Sequence, residues 1–343
     1  MRAWVVFLSA LVFCLVLTPL VRRLALRVGA VVTPTGRSVH SRPVPHLGGV
    51  AIYASFALSV LLGGGGVSPV VRGTLLAGLF VCLWGVWDDF APMPAWRKLV
   101  GQLLAAGILV AHGVSIPWLV GPWDRYVYLG WLEIPFTLFW LVAMMNVINL
   151  VDGLDGLAAG ISCIASFTLF FVAWGQGVPE ALLMSAGLAG CTAGFLRYNF
   201  NPARIFMGDA GALFLGLALG SVSVAGAMKT ATVIAVIIPL VALGVPVLDT
   251  AFAIVRRLRD GRPIYEADRD HLHHRLLGMG LNHKQAVVVM YVLSLACGLV
   301  AASLSRVRLE LGLLIALGTI MVVLLGGRWI GLLHIRNGRS GGH

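Results

Sequence analysis

Apolar runs long enough to cross a bilayer follow one another along nearly the whole chain, and polar residues collect in the gaps between them. Their centres lie near residues 12, 56, 79, 107, 140, 166, 188, 219, 243, 294 and 320. A membrane-spanning helix needs about 20 predominantly apolar residues. The pattern therefore predicts an all-α polytopic membrane protein of about 11 transmembrane helices. The first run has only Arg2 before it, no small-residue cleavage site after it, and Arg22, Arg23 and Arg27 directly behind it. That arrangement reads as a retained signal-anchor with the N-terminus outside. If the loops alternate, the odd-numbered ones hold 19 of the 25 Lys and Arg residues and the even-numbered ones hold six. Basic residues favour the cytoplasmic side, so the odd loops are inner and the C-terminus is cytoplasmic.

The gaps differ in kind. Outer loops are short and plain, such as those at Gly63–Pro69 and Gly175–Glu180. The inner loops, near 22–46, 88–98, 149–157, 197–211 and 256–284, hold nearly every polar residue of chemical interest. With no internal repeat and no soluble segment, the chain reads as a single integral-membrane domain whose active site is built from these cytoplasmic loops.

Composition narrows the class. Apolar residues make up 59% of the chain and charged residues 11%, where soluble domains carry about 45–50% and about 25%. An ordinary soluble enzyme is excluded, and so is disorder, which needs low hydrophobicity and high charge. The 42 glycines follow no three-residue period, which excludes collagen. The net charge of +11 follows from membrane topology. No aromatic–basic stacking platform accompanies it, so nucleic acid is not a partner. Cys14, Cys82, Cys163, Cys191 and Cys297 all lie in apolar runs without CxxC spacing, as small core residues do.

Charge inside such a chain needs a reason, because an ionisable group at the bilayer centre costs about 2.5 kcal/mol or more. Asp88 and Asp89 end the third run in WGVWDDF. Adjacent like charges require a proton or cation between them, and acids at a helix C-terminus oppose its macrodipole. The bland alternative is a solvated helix end capped by Arg97 and Lys98. In NVINLVDGLDG, Asn146, Asn149, Asp152 and Asp155 recur every third residue. Each step drifts about 60° around a helix axis, so the set winds around a helix end that Gly153 and Gly156 allow to open. Acids at every second position, as an EF-hand requires, are absent. Two amides and two carboxylates suit a cation-bearing ligand; polar helix–helix contacts are the alternative. Asp209, between Gly208 and Gly211, reads alone as an N-cap. Beside the other clusters it reads as a hard-cation ligand.

The loop RRLRDGRPIYEADRDHLHHRL, residues 256–276, combines basic residues with His271, His273 and His274. It matches no zinc peptidase motif, and its charge suits an anionic nucleotide or diphosphate. A loop touching lipid phosphates accounts for its arginines but not for three histidines in four positions. Asp249 reads as a salt-bridge partner of Arg256 or Arg257. Phosphate-loop, dinucleotide and nucleophile-elbow motifs are absent. A cation transporter using the acidic clusters is the reading from another class. Transport sites usually lie near the bilayer midplane, whereas these acids gather at inner helix ends.

Taken in order, HSRPVPHLGGVAIY (His40 to Tyr53), WDDF, NVINLVDGLDGLAAG, NFNPARIFMGDAGAL and DRDHLHHRL resemble the polyprenyl-phosphate N-acetylhexosamine-1-phosphate transferases. The DHLHHRLL form is similar to the WecA/TagO-like branch, with the MraY phospho-MurNAc-pentapeptide transferases as the second choice. The resemblance implies Mg²⁺-dependent (or Mn²⁺-dependent) transfer of a HexNAc-1-phosphate, GlcNAc-1-phosphate first, from a UDP-sugar to undecaprenyl phosphate. UMP would leave, at the cytoplasmic face of the bacterial plasma membrane, starting a cell-surface glycan. It implies Asp88 and Asp89 as catalytic acids and Asp209, Asp152 and Asp155 around the metal. Asn146, Asn149, Asn199, Arg257, His271, His273, His274 and Arg275 would serve the nucleotide sugar or diphosphate. Arg42, His46 and Lys98 would meet the lipid phosphate. A homodimer is implied by resemblance alone. Pro92 stands where the family often carries a third acid or amide, and Arg42 and His46 stand where related enzymes place other basic residues.

Overall fold

In lipid a helix satisfies its own backbone polar groups, and the long apolar runs of this chain fold accordingly. A computed structural model describes residues 1–32, 43–63, 68–120, 126–230, 243–259 and 272–304, with the isolated positions 241, 314, 318 and 321. The helices are α1 (Arg2–Arg27), α2 (Gly48–Leu62), α3 (Pro69–Phe90), α4 (Ala95–Ala111), α5 (Glu133–Val151), α6 (Leu157–Gln176), α7 (Pro179–Asn199) and α8 (Gly208–Thr230). Further along come α9 (Gly244–Arg259), α10 (Leu272–Gly278) and α11 (His283–Leu304). Among the described residues seven helices are long and apolar enough to cross a membrane, and α2 is a shorter apolar one. The protein is an all-α membrane protein in architecture. Nine of the anticipated centres fall on α1 to α8 and α11. Of the run centred near 243 the half from residue 243 onward is described and opens α9, and of the run centred near 320 only positions 314, 318 and 321 are described.

Local details depart from the sequence reading. Among the described residues two small antiparallel ribbons interrupt the helices. In one, β1 (Val31–Val32) pairs with β2 (Val44–Pro45); in the other, β3 (Trp118–Val120) pairs with β4 (Tyr126–Tyr128). Strands of two or three residues have no room for an alternating pattern, so periodicity gave no sign of them. The basic stretch expected to be loop from Arg256 begins as helix, since α9 runs to Arg259, and α10 lies within the same expected loop.

The bundle is organised around α8, which packs against α2, α3, α5, α6 and α7. Its Phe214, Leu215, Leu217 and Ala218 are fully buried. Small residues let neighbours come close: a Cβ on Gly85 of α3 would collide with the Ala210 backbone, and one on Gly49 of α2 with that of Gly211. Such contacts substitute for hydrophobic burial, which gains little between helices that share an apolar solvent. Deep hydrogen bonds add to them, with Thr74 and Ser221 hydroxyls 2.7 Å apart and Trp140 Nε1 donating to Ser223 Oγ at 2.9 Å. Bonds of this kind contribute about 0.6 kcal/mol each in membrane proteins. Helix α1 pairs with α2 and α7 and exposes Leu8, Val12, Val16, Leu20 and Leu24 along its other face. All five cysteines are free and buried, as their settings in the sequence suggested.

Four interhelical turns come together at one end of the bundle: α1 to α2, α3 to α4, α5 to α6 and α7 to α8. Phe206 N donates to Pro45 O at 2.8 Å, Gly48 N to Phe206 O at 2.9 Å and Gly49 N to Met207 O at 2.8 Å. Arg22 Nε adds a bond to Arg204 O at 3.0 Å. The entrances to α2 and α8 are thereby joined backbone to backbone.

Candidate active site

The stitched entrance of α8 is the floor of the site. Gly208 opens this helix with φ +68°, and a Cβ there would run into the Asp89 carboxylate and the His46 carbonyl. The first turn is capped by a side chain from another helix. Asp89 Oδ1 accepts from Asp209 N at 2.9 Å and Asp89 Oδ2 from Ala210 N at 3.4 Å. An anion at a helix N-terminus satisfies orphan N–H groups and meets the positive end of the macrodipole. The plain N-cap reading of Asp209 is thus corrected, because Asp89 takes that role and leaves the Asp209 side chain to others.

Those others converge from α3, α4 and α5. Lys98 Nζ lies 2.5 Å from Asp88 Oδ2 and 2.6 Å from Asp209 Oδ2, so one ammonium joins two carboxylates. Asn149 Nδ2 donates to the other oxygen, Asp209 Oδ1, at 3.0 Å. Asp88 Oδ1 accepts from Met93 N at 2.6 Å, fixing the short turn between α3 and α4. Arg97, the other expected cap, instead lies over the Trp96 ring at 5.2 Å. His46 Nε2 contacts the Asp89 carbonyl at 3.1 Å. Burial holds the His46 imidazole below its usual pKa, which favours the neutral ring.

The four residues spaced by three along α5 and beyond fan out to four places, as winding around a helix end requires. Asn146 exchanges amide bonds with Gln102, receiving Gln102 Nε2 at 3.3 Å and donating to Gln102 Oε1 at 2.8 Å. Asn149 reaches Asp209. Asp152, just past the end of α5, is partly exposed and has no hydrogen-bonded side-chain partner among the described residues. Its carboxyl is pushed up to about 7, first by desolvation and then by the charges of Asp209 and Asp155. Asp155 Oδ2 accepts from Asn201 Nδ2 at 3.0 Å and from Ala203 N at 2.9 Å. Asn199 is buried, accepting from Gly156 N at 3.0 Å and donating to Ile205 O at 2.9 Å.

Other anticipated residues lie on α9 and α10. Arg257 is buried near the end of α9, while His274 is exposed and Arg275 half-buried on α10. Asp249 Oδ1 accepts from Leu272 N at 2.9 Å and so ties α10 to α9. Among the described residues none of the three basic side chains bonds to Lys98, Asp88 or Asp209. Arg42, His271 and the side chain of His273 lie outside the described residues.

Sequence reasoning missed Gln102 and Tyr291. Gln102 lies one turn beyond Lys98, and that helical spacing was the available signal. Tyr291 of α11 donates its hydroxyl to Gly156 O at 2.5 Å, and nothing near it in sequence marks it.

The arrangement sets the carboxylates of Asp88, Asp89, Asp209 and Asp152 around one ammonium where several helix ends meet, a net negative cluster that suits a cation. Residues 71–227 match the family model described as glycosyl transferase family 4. The chain is 38% identical to a probable undecaprenyl-phosphate N-acetylglucosaminyl 1-phosphate transferase of Bacillus subtilis, covering 92% of this chain and 88% of that one. It is 37% identical to a decaprenyl-phosphate N-acetylglucosaminephosphotransferase of Mycolicibacterium smegmatis, covering 83% and 78%. A phospho-N-acetylmuramoyl-pentapeptide-transferase of Halalkalibacterium halodurans is 30% identical over 79% of this chain and 87% of its own. With the site built from the motif residues themselves, the chain belongs to the polyprenyl-phosphate N-acetylhexosamine-1-phosphate transferases of glycosyl transferase family 4.

Proposed function

We propose that the protein transfers GlcNAc-1-phosphate from UDP-GlcNAc to undecaprenyl phosphate in a Mg²⁺-dependent reaction that releases UMP. The site faces the cytoplasm, in an eleven-span bacterial plasma-membrane protein with its N-terminus outside and C-terminus inside. The observation that carries this reading is the Lys98 ammonium shared by Asp88 and Asp209, with Asn149 on the second Asp209 oxygen. The names of the relatives support the sugar and the lipid acceptor.

The residues fit a hard divalent cation. Asp209 and the partly exposed Asp152 offer carboxylate oxygens whose charges act on each other. Among the described residues no three acid, His or Cys side chains form a ready cage. Mg²⁺ needs none, since it usually takes one or two carboxylates, substrate phosphates and water. Asp209 and Asp152 would hold it, with Asp155 the third acid of the same loops. When bound, the ion supplies charge neutralisation on the diphosphate oxygens.

The chain's own residues do the remainder. An oxygen of the lipid phosphate attacks the phosphorus that carries the sugar, and the bond from that phosphorus to the UMP oxygen breaks. A phosphate's second pKa is about 6, so the acceptor is mostly ionised at neutral pH. Asp88 is placed to take the remaining proton where there is one. Asp89 holds the first turn of α8 and with it Asp209, so it acts by position. Lys98 neutralises the two carboxylates and lies within reach of an incoming phosphate. Arg257, His274 and Arg275, with His271 and His273, would meet the diphosphate; Arg42 and the neutral His46 would border the lipid phosphate. Transfer of this kind rests mainly on positioning and electrostatics.

The test is UMP release by purified, detergent-solubilised protein with undecaprenyl phosphate and Mg²⁺. UDP-GlcNAc, UDP-GalNAc and UDP-MurNAc-pentapeptide are supplied separately, each with a chelated control. Metal-dependent turnover of UDP-GlcNAc is expected. Turnover only of the pentapeptide would move the protein to the muramoyl branch, and none with any donor would overturn the reading.

A further inference from the structure

Gly156 is held on both sides of its peptide unit by side chains from other elements. Its left-handed conformation, φ +78°, turns the chain out of the Asp152 loop and into α6. The N–H donates to Asn199 Oδ1 at 3.0 Å, and the carbonyl receives Tyr291 Oη at 2.5 Å. A Cβ at Gly160, one turn later, would fall inside the Tyr291 ring, so helix α11 is seated flush against α6. One residue before Gly156, Asp155 Oδ2 takes Asn201 Nδ2 and the Ala203 amide. Asn199 completes the lacing through Ile205 O. Asp155 is 5% exposed and Asn199 2%, whereas Asp152, between them and α5, is a partly exposed residue.

We infer that Asp155, Asn199 and Tyr291 form a clamp that fixes the Asp152 loop, making Asp155 a positioning residue and not a ligand of metal or nucleotide sugar. This rests on the proposed role of Asp152 for its effect on turnover, but the clamp itself does not. The physical grounds are burial and a backbone donor: Asp155 is 5% exposed and takes the Ala203 amide, whereas Asp209 is 26% exposed and takes the side chains of Lys98 and Asn149. Two N–H groups on one oxygen orient Asp155 toward residues 201–203, and a buried acceptor that lost them would leave a backbone amide unsatisfied. Tyr291 extends the clamp to α11, the helix that follows the histidine-bearing segment. A shift of α11 therefore moves the Gly156 carbonyl, and the Asp152 loop with it.

Two variants test this in the full-length, detergent-solubilised protein. Tyr291→Phe keeps the ring on Gly160 and removes only the hydroxyl. Hydrogen exchange of the peptide covering residues 152–160 should rise about tenfold while exchange in α3 and α8 stays unchanged. kcat should fall about tenfold, with KM for the UDP-sugar within about twofold. Asp155→Asn keeps an acceptor oxygen at the same place. Its Mn²⁺ affinity, read by electron paramagnetic resonance, should stay within about threefold of the parent, whereas Asp152→Asn should weaken it about tenfold or more. Unchanged exchange at 152–160 in Tyr291→Phe overturns the clamp, and so does an Asp155→Asn loss of Mn²⁺ as large as that of Asp152→Asn. If Asp155→Asn does not fold, Tyr291→Phe decides alone. Failure of the proposed reaction would show as absent UMP release in the parent, and the exchange result would still judge the clamp.

Discussion

Replacing Lys98 by Met removes the one cation between Asp88 and Asp209 while preserving most of the side chain's apolar length. Both carboxylate oxygens lie within 2.6 Å of the same ammonium, so they stand about 5 Å apart at most. At that limit two unit charges repel by about 3 kcal/mol at an effective dielectric of about 20. Asp88 is 5% exposed, but Asp209 is 26% and Lys98 33%, so solvent screening reduces this to about 1.5–3 kcal/mol. The expected result is a thermal midpoint lower by about 5 °C in chelator, by the usual conversion of stability to temperature. Added Mg²⁺ should recover more of that loss in Lys98→Met than it adds to the parent, because the cation enters a site with an uncompensated double charge. UMP release should fall about a hundredfold or more even in saturating Mg²⁺, since in the proposed reaction Lys98 would also neutralise the incoming phosphate. The assays are intrinsic-fluorescence melting in detergent with and without Mg²⁺, run beside UMP release. A variant that melts with the parent in chelator and gains no extra protection from Mg²⁺ would refute the coupling of the two acids through Lys98.

Asp89→Asn retains an acceptor for the first turn of α8, so its melting should change by about 1 kcal/mol or less, whereas Asp89→Ala should cost about 2 kcal/mol; comparable losses in the two would deny the capping role. Asp209→Asn should keep the Asn149 and Lys98 contacts in part, remain folded in the membrane, and lose Mg²⁺-dependent UMP release by about a hundredfold or more; full activity would remove Asp209 from the metal site. Gly85→Leu should destabilise the bundle by about 1–3 kcal/mol and lower activity with it, because the new side chain meets the Ala210 backbone at the entrance of α8. Asp152, pushed up to about 7, holds its proton below that pH and must release it to a metal. Mn²⁺ affinity should therefore be flat above about pH 8 and weaken up to tenfold per pH unit below about pH 6; a pH-independent affinity from 5.5 to 8 would exclude Asp152 as a ligand.

The broad fold was legible because lipid imposes one rule on every long apolar run, and that rule is written in length and hydropathy. The acidic positions were legible for the reason that makes them costly in such a setting. What the residues do was less accessible. Asp88 and Asp89 are neighbours in sequence, yet one binds Lys98 and the other caps α8, a division that depends on where the helix packed against α3 begins. Asn199 and Asp155 read as ligands from their chemical type, and nothing in their spacing announced the loop-to-loop hydrogen bonds that both also make. Tyr291 could not be found at all, since its partner is a backbone carbonyl far away in sequence. Two-residue ribbons escaped for a different reason, being shorter than the period that would announce them.

Asp88, Asp89 and Lys98 share a further property that Asp209, an acid in the first turn of α8, does not. Asp88 and Asp89 stand at the C-terminal end of α3, and Lys98 stands in the first turn of α4. Each is at the end of its own helix where the macrodipole disfavours it, by about 0.3–1 kcal/mol. Each is compensated by a neighbour: Asp89 by the N-terminus of α8, and Asp88 and Lys98 by one another with Asp209. Neither α3 nor α4 alone gives its charges a favourable place, so these charges are compensated only when α3, α4 and α8 are docked together. Local sequence preference and the assembled structure conflict at these residues, and such conflicts are expected where function sets the choice of side chain. The conflict also explains why glycines at 49, 85 and 208 crowd this end of the bundle. The compensation requires α2 and α3 to approach the entrance of α8 closer than any Cβ would permit.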